Sequence, residues 1–138
     1  MLFRSQAVPL PAGARVLDAG CGLGHGLAAL RNAYPEAQLE GVEWSRPLAW
    51  LAALRCPYAR VRRGDMWGRP WSNQQLVYLF QRPESMARAV DKARREMPGG
   101  WLASLEFPAP GLEPVGRLGS RPLWIYRIPD STTEPTGR

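Results

Sequence analysis

The chain has 138 residues, 45% of them apolar, with two cysteines and a net charge of +6. Its length suits one domain that buries roughly two thirds of its unfolded surface. Its composition excludes a membrane helix, a disulfide framework and a cysteine-rich metal centre. No signal-peptide pattern opens the sequence, so a cytoplasmic location is expected. The positive charge is arginine apart from Lys92, the only lysine. Dispersed arginine is the ordinary pattern of a solvated surface, which keeps nucleic-acid binding as an alternative and not the lead.

Residues 1–13 have no helical period, and Pro9 and Pro11 break regular structure. Residues 15–18 form a short apolar run that suits a buried parallel strand and ends on Asp18. A glycine-dense turn follows, then a helix over 26–33 with Leu27, Leu30 and Ala33 on one face. Tyr34-Pro35 stops it, because the residue before proline leaves the helical region. Residues 38–43 make a second strand ending on Glu43. Ser45 caps a helix that runs to Arg55, with Pro47 in its first turn, and buries some of Leu48, Leu51, Ala52 and Leu54.

Residues 59–63 form a third strand before Gly64-Asp65, and 66–74 a loop with Trp67 and Trp71. Residues 76–80 are the most apolar strand, expected at the centre of the sheet. A helix from Pro83 carries Met86, Ala89, Val90, Ala93 and Met97 at helical spacing and ends at Pro98-Gly99-Gly100. A fifth strand spans 101–107, and runs at 113–118 and 123–128 read as an antiparallel hairpin. Residues 130–138 read as disordered. Alternating strands and helices predict an α/β fold, a mostly parallel doubly wound sheet with helices on both faces. One domain over 1–138, with a core at 14–128, is expected.

Strand, glycine turn, helix, strand, acid is a unit that binds an adenosine-containing cofactor. The spacing decides which one. A dinucleotide fingerprint needs G-x-G-x-x-G, but counting from Gly20 or Gly22 puts His25 or Leu27 at the third glycine. A phosphate loop would need Gly-Lys-Ser/Thr, which is missing. What stands there is D-x-G-x-G-x-G, from Asp18 through Gly20, Gly22 and Gly24.

The segment Val16-Leu17-Asp18-Ala19-Gly20-Cys21-Gly22-Leu23-Gly24 resembles motif I of class I S-adenosylmethionine-dependent methyltransferases. The resemblance covers residues 14–128 and implies a Rossmann-like fold with S-adenosyl-L-methionine as cofactor. It implies that Glu43 binds the ribose hydroxyls and that Asp65 meets the adenine amino group, with Trp44 and Met66 beside them. It also implies that Asp18, Gly20, Cys21, Gly22 and Gly24 hold the methionyl part. A carboxylate suits two vicinal hydroxyl donors, and glycine lets backbone approach the cofactor closely. Cys21 is expected as a buried free thiol, and His25 as a loop residue and not a base.

Residues 76–97, with PGGWLASLEFPAPG and RPLWIYRI, are similar to a narrower group. These are lysine methyltransferases of the adenine nucleotide translocase and ATP synthase c subunit, and their bacterial relatives. The expected reaction is methyl transfer to an amine of a protein, lysine in particular, or of a small molecule. Gln81, Arg82 and Glu84, after the fourth strand, are the expected substrate-positioning residues, with Glu106 at the same mouth and Tyr78 and Phe80 in the core. The sequence departs from that group at Gln81-Arg82 and lacks the Asn/Asp-Pro-Pro-Tyr motif of adenine and glutamine methyltransferases.

Two alternatives stand beside it. One is an RNA methyltransferase that stacks a base on Trp67-Gly-Arg69-Pro-Trp71. The other is a cofactor-binding module inactive without a partner or a missing segment. The family carries a cover helix before the first strand, which residues 1–13 are too short and too proline-rich to supply. The first five residues also read like translated adapter sequence, so the natural N-terminus is expected upstream. A homodimer is left open.

Overall fold

The computed structural model describes residues 8–118 and 122–130. The expectations for residues 1–7, for the hairpin tip at 119–121 and for the tail at 131–138 lie outside the described residues. The elements are β1 (Arg15–Ala19), α1 (His25–Ala33), β2 (Gln38–Glu43), α2 (Arg46–Arg55), β3 (Ala59–Arg63) and β4 (Leu76–Leu79), followed by α3 (Pro83–Glu96), β5 (Trp101–Leu105), β6 (Pro114–Leu118) and β7 (Leu123–Arg127). They build one seven-stranded sheet in the order β3-β2-β1-β4-β5-β7-β6. The first five strands in that order pair in parallel, and β7 and β6 pair antiparallel. The expected mixed sheet, its closing hairpin and the central place of β4 are all present.

The period of two in the strands sorts their side chains between two cores. Val16, Leu76 and Tyr78 face α1 and α2, packing on Leu27, Leu30, Ala52 and Cys56. Leu17, Ala19, Val77 and Leu79 face α3, packing on Met86, Ala89, Val90 and Ala93. Helices therefore cover both faces. Each fully buried leucine contributes roughly 1.5–3 kcal/mol relative to an exposed one.

α2 meets expectation at Ala52 and departs from it at its leucines. Ser45 caps it as predicted, its Oγ accepting the Leu48 N–H at 3.4 Å. The buried face, however, is Ala49 and Ala52, while Leu51 and Leu54 are 39% and 61% exposed. The glycine turn sets this face. A Cβ on Gly24 would lie 2.7 Å from Cys56 Sγ and 3.8 Å from Ala52 Cβ, so only small side chains let the helix come that close. Phe80 is also corrected: it is 47% exposed and stacks on Phe107 at 6.4 Å between ring centroids. No helix among the described residues is long and apolar enough to cross a membrane.

Candidate active site

The strand order reverses between β1 and β4, where doubly wound sheets open a crevice at the carboxyl ends of their strands. A cavity of about 370 Å³ lies there, lined by Gly20, Glu43, Trp44, Asp65, Met66 and Gln81 together with Val42, Gly64 and Trp67. That volume is in the range of small-molecule sites. The turn after β1, the end of β2, the turn after β3 and the segment after β4 each contribute a wall. Six residues singled out from the sequence thus meet in one place.

Main-chain hydrogen bonds hold the turn. The amides of Gly20 and Cys21 both donate to Val42 O, at 2.8 and 2.9 Å. Glu43 adds a second tie: Oε1 accepts the Gly22 N–H at 2.8 Å and Oε2 accepts the Ser45 N–H at 2.9 Å. Its carboxylate therefore locks the glycine turn and the entrance of α2 together. Each oxygen keeps a lone pair for a hydroxyl donor. Gly24 sits at φ 97°, in the left-handed region that favours glycine.

Cys21, Gly22 and Gly24 are not among the residues that line the cavity. Asp18 is 3% exposed beneath the turn. Burial first, and the Glu43 charge second, push its carboxyl up to about 7. Burial and the charges of Asp18 and Glu43 also push the Cys21 thiol up to about 12, and both cysteines are free and buried.

Gly26, in the first turn of α1, lies against this acid. A Cβ there would run into Asp18 Oδ2 and come within 2.7 Å of the Tyr78 ring. Gly26→Ala should destabilise the protein by about 1–3 kcal/mol through overpacking, although alanine is the better helix former. Thermal denaturation checks it, and an unchanged or higher melting temperature would refute the close packing.

On the opposite wall Asp65 is exposed, its Oδ1 accepting the Trp67 N–H at 3.0 Å. Trp67 lines the cavity and carries the Arg88 guanidinium 4.3 Å from its ring centroid. Trp44 carries Arg63 in the same way, at 4.8 Å. The base-stacking expectation fails for Trp71, which is 0% exposed. Its ring packs into the apolar core under α3, with Lys92 Nζ 5.1 Å from the ring centroid and the Trp71 backbone N–H donating to Glu96 Oε1.

Among the substrate-side candidates only Gln81 lines the cavity; its Nε2 lies 3.2 Å from where a Cβ on Gly20 would stand. Arg82 and Glu84 are exposed at the start of α3 and are not among the lining residues. Glu106 is outside the lining too, held at φ 72° by its N–H to Pro122 O and by Trp124 Nε1 on its carbonyl. His25 begins α1 and is not in the loop, its Nδ1 3.5 Å from Arg55. Sequence reasoning missed Trp67 as a wall and Lys92 as its support; the single lysine was the available signal. Among the described residues no group of three or more His, Cys, Asp or Glu could hold a metal.

Comparison with known proteins agrees with this geometry. Residues 18–116 match the ANTKMT methyltransferase domain. A trans-aconitate 2-methyltransferase of Mycobacterium sp. (strain KMS) is 32% identical over 129 residues, covering 84% of this chain and 48% of that protein. One of Variovorax paradoxus (strain S110) is 29% identical over 116 residues, covering 80% and 45%. The chain thus spans about half the length of the curated relatives it matches. An RNA methyltransferase of Salinibacter ruber, solved with S-adenosyl-L-homocysteine, superposes at TM-score 0.78 and 18% identity, covering 91% of this chain and 87% of that one. Fold and sequence together place the chain among the class I S-adenosylmethionine-dependent methyltransferases. It belongs to the family of the ANTKMT methyltransferase domain.

Proposed function

We propose that this chain transfers a methyl group from S-adenosylmethionine to an amine of a protein, lysine in particular, or of a small molecule. One observation carries the reading: residues from four separate strand ends converge on one cavity with two carboxylates and a glycine wall. The residues present fit the donor. Glu43 has lone pairs for two ribose hydroxyls, Asp65 for the adenine amino group, and the turn leaves the backbone bare beside them. Buried Asp18 supplies negative potential behind the amino end of the methionyl part. When bound, the donor supplies an electrophilic methyl on a sulfonium.

Transfer to a nucleophile is then largely positioning. Gln81 would orient the acceptor at the cavity edge, with Arg82 and Glu84 at the mouth. An amine acceptor must also lose a proton, to water or to a carboxylate at that mouth. A small organic acid is the second reading. It is favoured by the names of the curated relatives and by Arg63 and Arg88 on the two lining tryptophans.

The test is calorimetry with S-adenosylhomocysteine, followed by radiolabelled methyl transfer to a lysine peptide and to trans-aconitate. Micromolar-range binding is expected. Absence of binding refutes the donor site. Binding with label only on trans-aconitate replaces the amine reading by the acid, and binding with no transfer to either makes the chain a donor-binding module.

A further inference from the structure

We propose that Lys92, together with Glu96, is a positioning pair that fixes the Asp65, Met66 and Trp67 wall of the cavity and so sets donor affinity. The proposal rests on the cavity being the donor site. Lys92 is the only lysine among 18 basic residues, and it is 4% exposed on a helix whose other basic residues are solvated. Its Nζ donates to Trp67 O at 3.0 Å and to Glu96 Oε2 at 2.9 Å, and stands 5.1 Å from the centroid of the Trp71 ring. Glu96 Oε1 accepts the Trp71 N–H at 2.7 Å. Burial works against the Glu96 charge, yet the Trp71 amide and Lys92, with help from Arg95, hold its carboxyl below the usual range.

One ion pair, a single helical turn apart, therefore grips both Trp67 and Trp71. The grip reaches the cavity through the chain itself. With Trp67 anchored by its carbonyl, its N–H is presented to Asp65 Oδ1 at 3.0 Å, and Asp65, Met66 and Trp67 all line the cavity. Lys92 lines nothing there, so it acts through Trp67. The choice of lysine follows from shape. A compact ammonium with three donors can meet a carbonyl, a carboxylate and a ring face at once, whereas a planar guanidinium fork is larger and directional. Such a buried pair is a poor source of net stability but a specific way to hold one geometry.

The experiment compares S-adenosylhomocysteine binding by the wild type, Lys92→Met, Glu96→Gln and a control, Tyr34→Phe. The control removes a buried hydrogen bond to Val8 O on the other face of the sheet. Lys92→Met should weaken binding about tenfold, equal to roughly 1.4 kcal/mol, Glu96→Gln less, and Tyr34→Phe not at all even where it lowers the melting temperature. In the wild type, saturating ligand should slow acylation of Lys92 several-fold, read by peptide mass spectrometry. Unchanged affinity in a folded Lys92→Met variant overturns the proposal. So does equal acylation with and without ligand, which decides the matter if Lys92→Met fails to fold. A wild type that binds no ligand refutes the donor site itself, a different result from a variant that binds as well as the wild type.

Discussion

Glu43→Ala should lower affinity for S-adenosylhomocysteine by about 100-fold or more, roughly 2.8 kcal/mol, and should destabilise the free protein as well. The double effect follows from the carboxylate's two duties. In the free protein it accepts the Gly22 and Ser45 amides, so its loss unties the glycine turn from β2 and the entrance of α2. Hydrogen bonds to a charged group contribute about 1.5–3 kcal/mol each, and the turn they hold is a wall of the cavity. In the complex the same oxygens would meet the ribose hydroxyls through their remaining lone pairs. Glu43→Gln should fall between wild type and Glu43→Ala, since it impairs both duties without removing the side chain. A glutamine oxygen can serve one amide, but its NH₂ faces the other as a second donor. Calorimetry and thermal denaturation on the three proteins check this. Equal binding by wild type and Glu43→Ala would remove Glu43 from the donor site. A large loss of stability with unchanged affinity would leave it as a brace for the turn alone.

The parts legible in the sequence were those fixed by short-range chemistry. Acids closing β1 and β2, and the glycines of the turn between them, are local signals, and the resemblance they carry pointed to Glu43 and, after β3, to Asp65, both of which line the cavity. The hidden parts depend on partners distant in sequence. The buried face of α2 could not be read from its leucines, because a glycine turn some thirty residues earlier admits only Ala52 and Cys56 against it. Lys92 stood out in the sequence only as the single lysine, and its burial follows from a carbonyl and a ring contributed by the loop before β4. The stacking role read for Trp71 fails because its ring is packed among the apolar side chains of β4 and α3. Gln81 was found because it follows the central strand. Arg82 and Glu84 follow it too, but the helix that begins at Pro83 carries them out of the lining.

Asp18 should make the free protein less stable as pH rises from about 4 to about 7, and Asp18→Asn should abolish that loss. Its carboxyl ionises at 3.8 in the ordinary reference state and at about 7 here, raised first by burial and then by the Glu43 charge. The folded state therefore binds this proton more tightly than the unfolded chain. The stability so gained is complete below pH 4 and is lost as pH climbs through 7, by an amount on the order of 4 kcal/mol. At pH 8 the asparagine variant, neutral and of the same shape, should melt above the wild type, and near pH 4 the two should coincide. The groups facing Asp18 are Glu43, Cys21 and the Tyr78 ring, and Cys21 is pushed up to about 12, so Glu43 is the charge that matters. The same burial that destabilises the free protein would serve the donor. A ligand ammonium brought to the turn favours the ionised carboxylate, so below pH 7 binding should release a proton and should tighten by up to about tenfold for each unit that pH rises toward 7. Calorimetry in buffers of different ionisation enthalpy reads that proton directly. Asp18→Asn should bind with no proton release. If wild type and variant melt with the same pH profile, Asp18 is not the strained acid beneath the turn. If the profile differs but ligand binding releases no proton, the acid is strained for a reason other than the donor's charge.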